Sequence, residues 1–424
     1  MFQAVRGMQD NLPDITPYWE QLETQLKSLM QSYAYQEIRF PIVEKTALFQ
    51  HSIGTVTDIV EKEMYVFSDS KGQSLSLRPE GTAGCLRAAI ERKLIYQNQP
   101  QRLWYFGPMF RRERPQKGRY RQFHQFGVEA FGMSNPEIDM ELILIGARLW
   151  KNLGISQTIN LELNSLGNAL TRENHRAALI HYFNQHYTEL DEDSKRRLGS
   201  NPLRILDSKN PKMQPLIQEA PRLLDYLDEE SATHFEQLQR LLNIANVPFI
   251  INPRLVRGLD YYNKTVFEWV MVNTAGAQNT VCAGGRYDSL PKQLGGPQKA
   301  AIGFAIGLER LLELWLSHHN IQPVPIAPHI YLIKQGERAT QEAVILAENL
   351  RTHLPEIRLH MDCAGGTFSQ QFKRANESKA LLALVLGDNE VQTQEVTVKH
   401  LLTSEPQRTI AYADLINYLK QALK

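Results

Sequence analysis

Two apolar runs, LWYFGPMF over 103–110 and FHQFGVEAF over 123–131, flank a short, heavily charged segment, and that juxtaposition constrains the fold more than any other feature of the chain. The segment FRRERPQKGRYR holds Arg111, Arg112, Arg114, Lys117, Arg119 and Arg121 against Glu113 alone. Pro115 and Gly118 interrupt any helix there, so the charges sit on a turn. Two strands this close in sequence pair antiparallel, which makes the cations the mouth of a hairpin rooted in a core. A run of charge is ordinarily a solvated face. Here the anchoring strands and the preponderance of arginine, whose planar fork matches phosphate oxygens, point instead to a triphosphate or an RNA backbone.

Side chains on the second strand alternate with period two. Phe123, Gln125, Gly127, Glu129 and Phe131 therefore share one face, and His124, Phe126, Val128 and Ala130 the other. A glycine within a strand often marks the close approach of a ligand. A carboxylate on a central strand needs a partner, and an ion pair with a neighbouring strand meets that need for Glu129 as well as a ligand does. Upstream, LRPEGTAG holds Glu80 in a rigid turn between Pro79 and Gly81, where it can bind an ammonium group or simply close the turn. Downstream, LVRGLDYY gathers Arg257, Asp260, Tyr261 and Tyr262, AGGRYD joins two glycines to Arg286 and Tyr287, and GFAIGLER runs from strand into helix and ends on Arg310. Alone, paired glycines read as turns and a helix arginine as surface; their joint presence is the specific feature.

Periodicity divides the rest of the chain. Trp19, Leu22, Leu26, Leu29 and Met30 predict an amphipathic helix over 17–34, with Pro17 in its first turn. Strands are predicted over 37–43, 64–67, 74–77, 102–106, 122–131 and 158–163, joined by short turns into an antiparallel sheet. Helical patterns then take over, at 168–186 and in the stripe Phe235, Leu238, Leu241, Leu242 and Ala245, and read as an insertion. Strand patterns return at 249–251, 266–272 and 301–306, before a helix over 308–317. Pro323, Pro325 and Pro328 mark a linker. Beyond it, strands at 329–333, 357–361 and 381–386 alternate with helices at 339–353 and 368–376, the pattern of a small α/β domain with a mostly parallel sheet.

The 424 residues suffice for two or three domains. With 47 basic and 46 acidic side chains the net charge is only +1, which excludes a blanket electrostatic grip on nucleic acid; RNA must be met through local patches. Cys85, Cys282 and Cys363 are far apart and odd in number, so neither a disulfide framework nor a zinc site is expected. The N-terminal segment lacks the apolar core of a signal peptide and no apolar run has the length of a membrane span, so a soluble cytosolic protein is expected.

Over essentially its whole length the chain resembles the class II aminoacyl-tRNA synthetases. FPIVEKTALF, with Pro41, is similar to the first motif of that class, which builds a dimer interface; FGPMFRRERPQKGRYRQFHQFGVEAFG is similar to the second, and GFAIGLERL to the third. Within the class, LVRGLDYY and AGGRYD resemble the two signature peptides of the histidyl-tRNA synthetases, in their bacterial form. The resemblance implies an α+β fold: an antiparallel-sheet catalytic domain over 1–166 and 247–318, a helical insertion over 167–246, a linker over 319–328 and an α/β anticodon-binding domain over 329–424. It further implies a cytoplasmic homodimer that activates L-histidine with ATP and magnesium, without an organic cofactor, and transfers it to the 3′ end of tRNA(His).

The same resemblance implies roles for matching positions. Arg111 and Arg257 stand at the ATP α-phosphate and Arg310 at the γ-phosphate and adenine, as the catalytic cations. Glu113, Arg119, Tyr120, Arg121 and Phe123 complete the ATP site, with Phe123 stacked on adenine. Glu80, Gly81, Thr82 and Gln125 hold the α-amino end of histidine, Glu129 and Tyr262 read its imidazole, and Tyr261 and Tyr287 shape the pocket. Arg114, Gln116 and Lys117 meet the tRNA acceptor end. No set of protein side chains is expected to form a metal site. A pocket built on hydrogen bonds rejects analogues that lack the partner, so no editing domain is expected either. The alternatives are a synthetase-like histidine-binding regulatory subunit of histidine biosynthesis, a pseudo-synthetase that senses RNA, and a class II enzyme for another amino acid. The intact LVRGLDYY and C-terminal domain disfavour the first, Arg111, Arg257 and Arg310 the second, and Glu129 with Tyr261 and Tyr262 the third.

Overall fold

The computed structural model of the chain describes residues 2–423 apart from 54–56, 58, 97–98, 117, 207, 209, 256–260, 273–278 and 323–325, and apart from the side chains at 200 and 204. Lys117, Arg257, Asp260, Pro323 and Pro325, singled out above, lie outside the described residues. The chain forms two compact units, one over 1–12 and 18–322 and the other over 13–17 and 323–424. Among the described residues no helix is long and apolar enough to cross a membrane.

The first unit follows the hydrophobic periods closely. Helix α1 (Thr16–Ser32) buries Trp19, Leu22, Leu26, Leu29 and Met30, the five residues whose spacing predicted it. The strand expected over 37–43 does not form as such. Only its two ends pair, β1 (Gln36–Glu37) beside Leu103 and Trp104 and Val43 opposite Leu77, because Pro41 between them has no N–H to give a ladder, and Ile38 and Phe40 alternate because they pack against the core. After it come β2 (Val43–Lys45), α2 (Thr46–Ile53), β3 (Val66–Ser68) and β4 (Ser74–Leu77), whose strands make a small antiparallel sheet in the order β2-β4-β3. Helix α3 (Thr82–Glu91) leads into the long hairpin, β5 (Gln101–Phe110) and β6 (Gln122–Phe131). Helix α4 (Pro136–Asn152) packs so closely on the sheet that a Cβ on its Gly146 would lie 2.7 Å from Trp269 Nε1.

Strand β7 (Ile159–Ser165) precedes the helical stretch, which holds α5 (Ala169–Gln185), α6 (Glu192–Ser200), α7 (Gln214–Glu219) and α8 (Glu229–Ile244). Side-chain oxygens of Asn168, Asp191 and Asp228 accept the orphan amides of Thr171, Ser194 and Ser231 at the starts of α5, α6 and α8. Leu179, Phe183, Ile205, Met213 and Leu216 give the stretch a small core of its own. The chain then returns through β8 (Ile250–Ile251), β9 (Asn263–Met271), β10 (Thr280–Arg286), α9 (Leu290–Gln293), β11 (Ala301–Gly307) and α10 (Leu308–His318). The large sheet runs β1-β5-β6-β11-β10-β9-β7-β8, antiparallel throughout its middle and parallel only at its two edge pairs.

Gly284 and Gly285, which read as a turn, instead lie within β10, near its C-terminal end. Added Cβ atoms would come within 2.4 Å of Gly303 O and 2.6 Å of Thr265 O, so the glycines are there to let strands and side chains crowd together.

The second unit contains β12 (Ile330–Lys334), α11 (Glu337–His353), β13 (Leu359–Met361), α12 (Phe368–Glu377), β14 (Leu382–Leu386), α13 (Asp388–Thr393), β15 (Glu395–His400), β16 (Arg408–Ala411) and α14 (Tyr412–Ala422). Its sheet, β13-β12-β14-β15-β16, is mixed rather than mostly parallel: the first three strands are parallel, and β15 and β16 add antiparallel on one side. A short α13 and a hairpin there leave no room for a crossover helix, so the added strands must reverse direction.

Candidate active site

The centre of the large sheet is built around one carboxylate. Glu129 on β6 stands opposite Leu103 of β5 and Gly303 of β11, and its side chain is 0% exposed. A Cβ at Gly303 would collide with Glu129 Oε2 at 1.7 Å, so the carboxylate occupies the space that glycine leaves. Its partners among the described residues are hydroxyls. Thr82 Oγ1 donates to it at 2.7 Å and Tyr105 OH at 3.1 Å, and Tyr287 OH donates to Oε2. Burial pushes the Glu129 carboxyl up to about 8, against the lowering effect of the Tyr287, Thr82 and Tyr105 hydrogen bonds and with a further push from Glu80. Burial likewise raises the phenols of Tyr105, Tyr261 and Tyr287, which stay protonated as donors.

Tyr105 is the residue that sequence inspection missed. Its ring lies against both Gly81 and Gly127, where a Cβ would come within 2.1 Å of a ring carbon in each case. The gap at Gly127 is therefore filled from within by the cross-strand partner in the hairpin register, not by a ligand. The usable signal was that register: once the two strands are paired, the bulky residue opposite the glycine must fill the space it leaves.

Glu80 sits at the start of α3. Its oxygens accept the first two amides of that helix, from Thr82 at 2.6 Å and Ala83 at 2.9 Å, where the helix dipole favours negative charge. Burial still raises its carboxyl above the usual range, opposed by those amides and by Arg111.

Above this floor lies a cavity of about 370 Å³. It is lined by Glu80, Thr82, Gln125, Tyr261, Tyr262 and Gly303 together with Arg111, Glu113, Arg119, Tyr120, Phe123 and Arg310. Among the described residues Gln125 Oε1 is buried there without a hydrogen-bond partner, an acceptor that a bound group would satisfy. Arg111 donates Nε to Pro79 O at 2.9 Å, and its guanidinium lies 5.2 Å from the centre of the Phe123 ring. Arg310 is held by the carbonyls of Thr280 and Gly118, the latter at 3.1 Å, and burial followed by Arg119 lowers its guanidinium below the usual range. Arg119 reaches Glu113 at 3.2 Å.

Other expected residues lie outside the cavity lining. Glu129 and Tyr287 are sealed beneath it. Arg121 turns back to donate to Glu113 O at 3.3 Å, and Arg114 and Gln116 are exposed on the turn, where Gln116 bridges to Arg119. Arg286 of the AGGRYD segment is fully buried and grips Asp139 through Nε at 3.0 and 2.9 Å, so its role is internal. Glu268 and Glu309, also on the cavity wall, gave no signal in the sequence. Among the described residues no group of three or more His, Cys, Asp or Glu side chains could hold a metal ion.

Chemically, the cavity combines the guanidinium groups of Arg111, Arg119 and Arg310 with carboxylate, amide and phenol groups, the set needed for a polyphosphate beside a small polar molecule. A family model described as histidyl-tRNA synthetase matches residues 7–311, and one described as an anticodon binding domain matches residues 325–422. The fold is similar to apo histidyl-tRNA synthetase of S. aureus, at 36% identity and a TM-score of 0.81, with 99% of this chain and 100% of that one covered. It is also similar to a histidyl-tRNA synthetase from Nostoc, at 19% identity and a TM-score of 0.69 over 100% of both chains. A structure from Bacillus halodurans, titled an ATP phosphoribosyltransferase regulatory subunit/histidyl-tRNA synthetase, matches at 22% identity and a TM-score of 0.65, covering 91% of this chain and 98% of that one. At such identities the last two bear on the fold alone.

Proposed function

The chain belongs to the histidyl-tRNA synthetase family, and from that premise we propose how its own residues carry the reaction. It is a histidine–tRNA ligase, which activates histidine with ATP and joins the amino acid to tRNA. The regulatory-subunit alternative is less supported, since the S. aureus enzyme matches at 36% identity over the whole chain and the regulatory-subunit title belongs to a protein at 22%.

Histidine binds beside Glu80, Thr82 and Gln125, which take its α-amino group, with Gln125 Oε1, unpartnered among the described residues, as one acceptor. The imidazole lies over Gly303, beside Tyr262 and Tyr261, where Glu129 reaches up through the glycine gap and Tyr287 holds the carboxyl. An imidazole has two ring nitrogens that a carboxyl and a phenol can address together. ATP lies among the guanidinium groups: Arg111 at the α-phosphate, Phe123 against the adenine, Arg310 towards the γ-phosphate, and Glu113, Arg119 and Tyr120 around them. The histidine carboxylate attacks the α-phosphorus in line; a carboxylate O–P bond forms, the bond to the pyrophosphate oxygen breaks, and pyrophosphate leaves. No general base is required because the nucleophile is already ionised. Arg111 supplies fixed positive charge where charge develops, and we assign the same role to Arg257. The tRNA 3′ hydroxyl then attacks the acyl carbon and releases AMP.

Magnesium would arrive on the ATP phosphates. Glu113 and Glu268 are the hard oxygen donors on the cavity wall that suit it, and most of its ligands would be phosphate oxygens and water. Arg114, Gln116, Lys117 and the exposed turn would receive the acceptor end of tRNA(His), with Arg121 bracing the turn. We divide the chain into the catalytic domain, the insertion over 167–246 and the anticodon-binding domain, and we place it in the cytoplasm as a homodimer. The FPIVEKTALF segment supports the dimer: it lines a hollow of about 1080 Å³ next to the exposed Ile42, Val43, Val66 and Phe67, an apolar area that a second copy would cover.

The observation that carries the assignment is that Arg111, Arg310 and Glu80 line one cavity whose floor is Glu129. The test is charging of tRNA(His) with labelled histidine: ATP-dependent formation of histidyl-tRNA is expected, and a chain that binds histidine but charges no tRNA would refute it.

A further inference from the structure

The two tyrosine-bearing segments of the pocket are gripped from outside by the helical stretch between β7 and β8. On α5, Arg172 donates NH1 to the carbonyl of Tyr262 at 2.8 Å. On α8, His234 donates Nε2 to Asp139 Oδ1 at 3.1 Å. Asp139, in the first turn of α4 and 0% exposed, is also held by Arg286, the residue before Tyr287. Burial alone would raise the Asp139 carboxyl, but Arg286 and His234 outweigh it and keep it ionised. The two grips are tied at both ends. Thr171 Oγ1 donates to Asp228, the cap of α8, at 3.1 Å, so α5 and α8 start from a shared point. Asn263 Nδ2 donates to Asp288 at 3.0 Å and Asp288 N to Asn263 Oδ1 at 2.8 Å, so the residues just beyond Tyr262 and Tyr287 are locked to each other.

A ring of polar contacts therefore runs from α5 to Tyr262, across to Asp288 and Tyr287, through Arg286 and Asp139 to His234, and back along α8. Neither Arg172 nor His234 lines the cavity. We propose that both are positioning residues for the amino acid: they fix the separation of Tyr262 and Tyr287, and with it the orientation of Glu129, so that the docking of α5 and α8 sets the affinity for histidine. The inference rests on the assignment of Tyr262, Tyr287 and Glu129 to the imidazole pocket. Among the described residues, the hydrogen bonds that make up the ring join none of Arg111, Glu113, Arg119, Tyr120, Phe123 and Arg310, so its loss is expected to act on the amino acid and to spare ATP.

The test is steady-state ATP–pyrophosphate exchange with Arg172→Met, Arg172→Lys, His234→Leu and His234→Gln, beside Tyr287→Phe, with thermal melting of each. Arg172→Met and His234→Leu are expected to raise KM for histidine by about tenfold, the worth of one hydrogen bond to a buried group. KM for ATP is expected to stay within about twofold, since no ATP contact is lost. Arg172→Lys and His234→Gln, which keep a donor, are expected to recover part of the histidine KM. Should the first two variants fail to fold, Arg172→Lys decides: its point charge cannot reproduce the reach of the guanidinium, and a KM for histidine equal to wild type overturns the proposal. Equal rises in both KM values, or no change in either, also overturn it. Tyr287→Phe separates the two levels. If it raises KM for histidine while the Arg172 and His234 variants do not, the positioning role alone fails; if it too leaves KM unchanged, the pocket assignment fails and the positioning role with it.

Discussion

At Glu129 burial and hydrogen bonding pull in opposite directions, and burial prevails, holding the carboxyl near 8. The folded protein keeps a proton there that the unfolded chain releases near 4.5. The stabilisation from that proton is complete below the lower value and is lost as pH rises through the upper one, because above it a charge must be held in a buried site. Glu129→Gln removes the titration while keeping an acceptor oxygen. The thermal midpoint of the variant relative to wild type is therefore expected to rise between about pH 5 and about pH 8.5; a difference that is constant across that range would show that Glu129 ionises normally. The arginines and Glu80 of this site were legible one by one because charged residues beside glycine and proline stand out against an apolar background. Tyr105 was not, since a tyrosine in an apolar strand looks like core until the strand opposite shows the two glycines it covers.

Among the elements, the β6–β11 pair carries the geometry of the pocket. Register sets Gly303 against Glu129, and no other residue fits there. Gly303→Ala puts a methyl within 1.7 Å of Glu129 Oε2 and 2.7 Å of Val128 O. Overpacking of this kind costs about 1–3 kcal/mol, so a lowered thermal midpoint is expected together with loss of histidine-dependent exchange; a variant that melts and turns over like wild type would show that the strands do not meet in this register. The long hairpin, α1 and α8 could be read in advance because their periods are strong. β10 could not, because its paired glycines carry the local signature of a turn and only the neighbouring strands explain them. The antiparallel β15 and β16 were missed for a similar reason: pairing direction depends on the space left by the preceding connection, which local sequence does not encode.

At the scale of the molecule there are two units with separate cores, and the two family matches, to residues 7–311 and 325–422, divide the sequence at about the same place. Domain class was legible because the alternation of helix and strand changes character after the prolines. Association was not, because an exposed apolar strand such as β3 reads the same whether water or a second chain covers it. If the small sheet and the FPIVEKTALF segment meet a second copy, sedimentation equilibrium is expected to give a particle of twice 48.6 kDa, and Phe67→Glu to shift it towards the monomer. A wild-type monomer at all concentrations would exclude the dimer.

The measurement that bears most directly on the shared cavity is amino-acid-dependent ATP–pyrophosphate exchange, run with histidine and the other amino acids on wild type, Arg111→Ala and Arg257→Ala. Exchange is expected with histidine alone, and each arginine variant is expected to be slower by at least about a hundredfold, the scale of losing one fixed charge contact in the transition state. Exchange supported equally by another amino acid, or arginine variants that run at the wild-type rate, would contradict the assignment.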